Sequence, residues 1–156
     1  MKFIVVILLV VIAYVAFQRS TNNKELVEEN QRLATAFLNK NVTEEGVIET
    51  ASGLQYKVLQ KGDGEQHPTA TDKVQVHYHG TLLNGTVFDS SVDRGEPISF
   101  GLNQVISGWT EGVQKMVVGD KVRLFIPAKL AYGNKGAGKV TPGSLLIFDV
   151  ELLAIH

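Results

Sequence analysis

The chain contains no cysteine. That excludes disulfides, thiolate metal sites, a cysteine nucleophile and a cysteine-borne lipid, and it leaves the redox compartment open. Charge of one dominant sign is lacking too, since 15 Lys and Arg stand against 16 Asp and Glu for a net charge of -1. The charges are dispersed and form no basic stripe, so nothing points to nucleic acid as a partner. There is no internal repeat and no low-complexity tract. No Gly-x-Ser-x-Gly elbow occurs, and Ser90, Ser91, Ser99, Ser107 and Ser144 show no local hydrolase pattern. At 156 residues the chain suits one ordinary domain with appendages.

Two further motifs carry less than a pattern search would suggest. Gly133-Asn134-Lys135-Gly136-Ala137-Gly138-Lys139 matches the start of a phosphate-binding loop. However, Val140 stands where Ser or Thr should follow, and Pro142-Gly143 leads into a strand where a helix N-terminus is required. His77 and His79 share one strand face without a third ligand nearby in sequence, which reads as a solvated face and gives no metal site.

What the chain does have is an uncharged apolar run from Phe3 to Phe17, with Lys2 before it and Gln18-Arg19 after it. As a helix this run rises about 22 Å, short of the roughly 30 Å hydrocarbon layer unless flanking side chains snorkel. A cleaved secretory signal is the other reading, with a poor cleavage site: cutting after Ala16 puts Tyr14 at the third position back. Residues 1–19 are therefore expected to be a membrane anchor or signal, with 3–17 meeting the membrane.

Residues 20–51 are expected as a helical spacer and linker. Leu26, Leu33 and Phe37 form one stripe of a short amphipathic helix, with Val27, Ala34 and Leu38 beside it. The stripe could rest on the domain or form a homodimer contact through 23–40. From Asn41 to Ser52 the helical period fades and a linker is expected.

From residue 52 to 156 the period becomes alternating. Leu54, Tyr56 and Val58 alternate with Gln55 and Lys57; Val74, Val76 and Tyr78 make another apolar face. Asn84-Gly85 predicts a hairpin between 81–83 and 86–88. Val122, Leu124 and Ile126 form a strand that Pro127 ends, and 145–153 form the last. A single helix fits inside this region, capped by Ser107, with Glu111 in its first turn, Trp109, Val113 and Met116 on one face, and Gly119 closing it. The fold class is thus α+β: a curled antiparallel sheet, a half-barrel, wrapped around one short helix and preceded by the apolar and amphipathic helices.

Several motifs then fall in order. They are Val76-His77-Tyr78-His79-Gly80-Thr81-Leu82, Gly85-Thr86-Val87-Phe88-Asp89-Ser90-Ser91, Arg94-Gly95-Glu96-Pro97, Val105-Ile106-Ser107-Gly108-Trp109-Thr110-Glu111-Gly112, Ile126-Pro127-Ala128-Lys129-Leu130-Ala131-Tyr132-Gly133 and Leu146-Ile147-Phe148-Asp149-Val150-Glu151-Leu152-Leu153. Together they resemble the FK506-binding family of peptidyl-prolyl cis/trans isomerases over about 52 to 155, and the linker is similar to that of secreted bacterial members.

The resemblance implies Trp109 as the floor of a proline pocket, Tyr78, Phe88 and Phe148 as walls, and Val105 and Ile106 as a rim. It implies that the Ile106 N–H and the Tyr132 hydroxyl donate to substrate carbonyls, and that Asp89 sits beside Tyr78 and Arg94. Ile98 stands where many members have an aromatic wall, and Val140-Thr141-Pro142 replaces the more usual Ile-Pro-Pro. The first departure should make the pocket less aromatic, and the second puts loop rigidity and the affinity for macrolide inhibitors in doubt. Partners implied are proline-containing unfolded or maturing polypeptides, with no cofactor and no metal needed. The rival is a non-catalytic peptide-binding or holdase module. If the host is a bacterium, the domain belongs on the periplasmic side.

Overall fold

The alternating segments fold as strands and the apolar N-terminus as helix in the computed structural model of the chain, which describes residues 2–156, with side-chain surroundings from Val5 onward. Met1 and the side chains of Lys2, Phe3 and Ile4, all within the expected anchor, lie outside the described residues.

Helix α1 runs from Lys2–Asn41 without a break. The expected apolar and amphipathic helices are therefore one rod, because nothing from Gln18 to Lys24 is Pro or Gly and the hydrogen-bond ladder continues. Its large apolar side chains from Val5 to Phe17 are 50% to 70% exposed. Its C-terminal part lies on the domain instead. Ala34 is buried, and the Phe37 ring meets Phe125 with centroids 5.8 Å apart. The Asn30 side chain donates to the Pro142 carbonyl at 2.9 Å.

The stretch expected to be a linker carries a strand. β1 (Val47–Glu49) pairs antiparallel with β2 (Gln55–Gln60). Three residues are too few to show a period, and backbone pairing alone defines them. Gln55, expected to face water, is fully buried beneath α1. Its amide donates to the Leu38 carbonyl at 3.0 Å and to Glu49 at 2.8 Å, and its oxygen accepts from Asn41 at 2.9 Å. A buried amide so satisfied costs little, whereas Val58, expected inside, is left 39% exposed.

The remaining strands are β3 (Lys73–Leu82), β4 (Val87–Ser90), β5 (Ile98–Gly101), β6 (Lys121–Ile126) and β7 (Leu146–Ile155). All pairs are antiparallel, in the order β1-β2-β6-β7-β3-β4, with β5 also on β3. The Asn84-Gly85 turn joins β3 to β4 as its composition predicts, with Gly85 at φ 87° and Gly80 opposite Asp89. β3 and β7 alternate buried and less buried residues along their length, so Val74, Val76, Tyr78, Phe148, Val150 and Leu152 share the concave face.

Across that face lies α3 (Ser107–Val113), which presents Trp109 and Val113 to the sheet, with Met116 buried beyond it. Its cap differs from the expectation. Ile106 occupies the N-cap position with no side-chain hydrogen bond, so Ser107 is already helical. Glu111 lies past the first turn and accepts a hydrogen bond from the Ser52 hydroxyl. The helix also stops at Val113, before Gly119.

A second one-turn helix, α2 (Ser91–Arg94), was not legible in the periodicity because four residues carry none. Ser90 caps it, its hydroxyl accepting from the Asp93 N–H at 3.1 Å, and Gly95 ends it in the left-handed region at φ 74°.

Two glycines let α3 approach β6. A Cβ at Gly108 would fall 2.5 Å from Ile126 Cγ2, and one at Gly112 would fall 2.8 Å from Leu124 Cδ2. Gly108→Ala should therefore destabilise the domain by about 1 to 3 kcal/mol through overpacking, less up to about 1 kcal/mol of better helix propensity. Urea unfolding followed by Trp109 fluorescence measures this, and unchanged or higher stability would refute the close-packing argument.

Candidate active site

Aromatic rings converge where α3 meets the concave face of the sheet at β3 and β7. Trp109 is only 4% exposed, and its ring centroid stands 5.3 Å from each of Tyr78, Phe100 and Phe148. The planes of Tyr78 and Phe148 lie at 87° and 89° to the indole, and Phe88 meets Phe148 edge-on at 5.2 Å. Edge-to-face pairs of this kind hold rings at fixed angles as well as burying them. Gly80 makes room for the wall: a Cβ there would fall 2.6 Å from Phe88 Cζ and 2.8 Å from Phe148 Cε1.

The rings enclose the apolar part of a cavity of about 660 Å³. Of the residues expected at the site, Tyr78, Phe88, Asp89, Val105, Ile106, Trp109, Tyr132, Val140 and Phe148 all line it. Among the described residues, neither the Ile106 N–H nor the Tyr132 hydroxyl has a hydrogen-bond partner, so both are open donors on its border.

Two expected residues do not line the cavity. Ile98 opens β5 at the sheet edge opposite Val76 and is 38% exposed. Its short branched chain leaves the wall position to Phe100, two residues on and on the same strand face. Arg94 reaches the back of the wall and stays out of the cavity.

That back wall is a charged brace. The Tyr78 hydroxyl donates to Asp89 at 2.5 Å, and Arg94 donates both to Asp89 and, at 3.1 Å, to the Tyr78 oxygen. The guanidinium also lies over the Tyr78 ring, 5.7 Å from its centroid. Burial raises the Tyr78 hydroxyl pKa above its ordinary value, and the bond to Asp89 raises it further. For Asp89, burial pushes upward but is outweighed by the hydrogen bonds from Tyr78 and Arg94 and by the guanidinium charge, so its carboxyl lies below the usual range.

The brace is held in turn by two serines whose neighbours in sequence give no sign of it. The Ser91 hydroxyl is fully buried, accepts from the Tyr78 N–H at 2.7 Å and lies 2.9 Å from His77 Nδ1. Ser90 lies 2.8 Å from His79 Nδ1. The histidine face expected to be solvated is thus tied to α2 and only half exposed. Strand pairing brings these residues together, and their spacing in the chain hides it.

Sequence reasoning missed Gln104, Ala137, Gly138 and Lys139 on the lining. The last three belong to the glycine-rich loop that mimics a phosphate-binding motif. Its Gly133, Gly136 and Gly138 all have positive φ, and the loop closes on itself by a Val140 N–H to Ala137 carbonyl bond of 2.8 Å. Asn30 of α1 bonds Thr141 and Pro142, which holds the loop from outside although Thr141 stands in place of its first proline.

A family model described as "FKBP-type peptidyl-prolyl cis-trans isomerase" matches residues 64–153, and one described as "Domain amino terminal to FKBP-type peptidyl-prolyl isomerase" matches 10–58. The FkpA isomerase of Aeromonas hydrophila is 60% identical over 128 residues, 82% of this chain and 47% of that protein. The protein named "Outer membrane protein MIP" from Legionella longbeachae is 42% identical over 88% of this chain and 59% of its own length. The crystal structure of FkpA from Escherichia coli superimposes with a TM-score of 0.84 at 41% identity, over 87% of this chain and 63% of that one. The chain thus spans about half the length of the first curated relatives it matches.

The brace predicts a pH response. Because the Asp89 pKa is lowered on folding, the stability it contributes is present above its ordinary value of 3.8 and is lost as the pH falls through the lower folded value. Because the Tyr78 pKa is raised, its contribution is present below 10.0 and is lost as the pH rises through the higher folded value. Near-ultraviolet circular dichroism of the pocket aromatics should therefore stay constant from about pH 5 to 9, away from both ordinary carboxylate and phenol values. A step inside that interval would contradict this brace.

Proposed function

Because the chain belongs to the FKBP-type peptidyl-prolyl cis-trans isomerase family, we propose that it catalyses rotation about X-Pro bonds in unfolded or maturing polypeptides at the cavity above Trp109. The single observation that carries this reading is the convergence of Tyr78, Phe88, Phe100, Trp109 and Phe148 on one cavity bordered by two open hydrogen-bond donors.

Rotation of a prolyl amide needs no proton transfer and no nucleophile. The barrier of about 18 to 20 kcal/mol is the loss of resonance between nitrogen and carbonyl. At the top of that barrier the carbonyl oxygen bears less charge than in the planar amide, so it loses less on leaving water. A cavity that strips water from the bond therefore favours the twisted form, provided that form is the more tightly held. Each tenfold acceleration requires about 1.4 kcal/mol of such a difference.

In this reading the proline ring sits on the Trp109 indole between Tyr78, Phe88 and Phe148. The Ile106 N–H and the Tyr132 hydroxyl donate to carbonyls of the substrate, while Val105 and Val140 border the entrance. Asp89 and Arg94 act through Tyr78 by fixing its ring. With its partners already in place and its pKa low, Asp89 is a positioning group and not a general base.

We further assign Val5 to Phe17 to a membrane. An apolar surface so exposed on a helix so long suits a lipid environment, and the relative from Legionella longbeachae is named an outer membrane protein. The domain would then stand outside the cytoplasm. The alternative of a cleaved signal would release the same domain without its tether. Macrolide ligands would occupy the same apolar cavity.

The test is a prolyl isomerisation assay with the full chain in mild detergent. The wild-type chain should accelerate exchange, and Tyr132→Phe should lower kcat/KM about 2- to 12-fold, the equivalent of one hydrogen bond of about 0.5 to 1.5 kcal/mol. Peptide binding without acceleration would instead identify a holdase or peptide-binding module.

A further inference from the structure

The unbroken α1 joins two parts of the molecule with different chemistry. Val5 to Phe17 expose apolar side chains all round the helix, while Val27 to Asn41 carry the contacts with the domain. Between them, residues 18–26 contain neither Gly nor Pro. Across the junction Gln18 donates to the Tyr14 hydroxyl at 2.7 Å, and Thr21 donates to the Phe17 carbonyl at 3.0 Å, one turn back in the same continuous helix. Tyr14 also has the amphipathic character found where a helix leaves the bilayer.

The order of contacts along this rod gives the domain an orientation. Counting from the apolar segment, the first contacts are with the loop that borders the cavity. The Val27 carbonyl oxygen lies 3.0 Å from the Cβ position of Gly143, Asn30 donates to the Pro142 carbonyl at 2.9 Å, and Gln31 donates to Asn134 at 3.2 Å. Residues 137–140 of that same loop line the cavity. Leu33 then sits beside the β3–β4 hairpin at Leu82 to Asn84, and only Leu38 and Asn41 reach Gln55 at the opposite end. The cavity rim is therefore on the side of the domain nearer the apolar segment.

Distance follows from helix geometry. At about 1.5 Å per residue, the steps from Phe17 to Val27 and to Gln31 are about 15 Å and about 21 Å. An extended chain covers about 3.3 to 3.6 Å per residue, so about six residues span 20 Å.

We propose that α1 is a rigid ruler, which holds the cavity about 20 Å from the bilayer and selects polypeptides that are themselves attached to that membrane. This rests on the isomerase and anchor readings above. Substrates are chains still tethered at the membrane, or juxtamembrane segments of anchored proteins, with a proline about six or more extended residues from the surface. A proline much closer cannot reach the cavity. One at the right height meets it at the high effective concentration of a shared, fixed geometry, which falls again as the connecting chain lengthens.

The test uses the full chain reconstituted in phosphatidylcholine vesicles. One X-Pro peptide is presented free in solution or coupled to a phospholipid through Gly-Ser spacers of about 2, 6, 12 and 24 residues. The expected result is a rate on anchored peptide at least about tenfold above that on free peptide at equal bulk concentration. It should peak at the intermediate spacers and be lost at the shortest. Inserting Gly-Gly-Ser-Gly after Thr21 should flatten the spacer dependence and leave the rate on free peptide unchanged. Equal rates on free and anchored peptide would overturn the proposal, as would a preference independent of spacer length, which co-confinement alone explains. A chain that fails to co-float with the vesicles would overturn it at the anchor, whereas inactivity on free peptide would overturn the isomerase reading beneath it.

Discussion

The indole of Trp109 forms the base of a cavity because α3 can press closely onto the concave face of the sheet. Gly108 and Gly112 set that approach, since any side chain at either position would collide with Ile126 or Leu124 of β6. With the helix so close, Tyr78, Phe100 and Phe148 meet the indole edge-on. The cavity is thus a property of backbone approach before it is one of side-chain choice.

The rest of the site keeps those rings in place. Asp89 and Arg94 hold Tyr78 from behind, Ser90 and Ser91 tie α2 to β3, and Gly80 leaves room for the Phe88 and Phe148 rings over the strand. The pair is partly solvated, with Asp89 and Arg94 side chains 44% and 51% exposed. Exposed ion pairs contribute little stability on their own. Here the value of the pair is positional, because it orients a phenol that faces an apolar space. The glycine-rich loop is held in a comparable way by Asn30, which links the border of the cavity to the N-terminal helix.

Much of this was legible in the order of residues. The period-two runs at Val74 to Tyr78 and Val122 to Ile126, and the Asn84-Gly85 turn, predict strands and a hairpin that the structure contains. Most of the lining followed from motifs. What escaped has physical reasons. β1 and α2 are too short to display a period, and Gln55 is buried by α1, a partner distant in sequence. Ile98 misses the lining because it pairs with Val76 at the start of β5, a matter of register that composition does not record. The junction of apolar and amphipathic segments into one rod was hidden because the change of composition near Gln18 resembles a boundary, although nothing there stops a helix.

The account turns on differential binding: the space above Trp109 must hold a twisted prolyl amide more tightly than a planar one. The direct measurement is calorimetric titration of the full chain with two prolyl ligands of equal size, one with its acyl group locked perpendicular to the ring nitrogen plane and one locked planar. The account predicts that the perpendicular ligand binds at least about a hundredfold more tightly, the lower end of the range for transition-state mimics. Equal affinities would mean that the cavity only captures proline, and would contradict it.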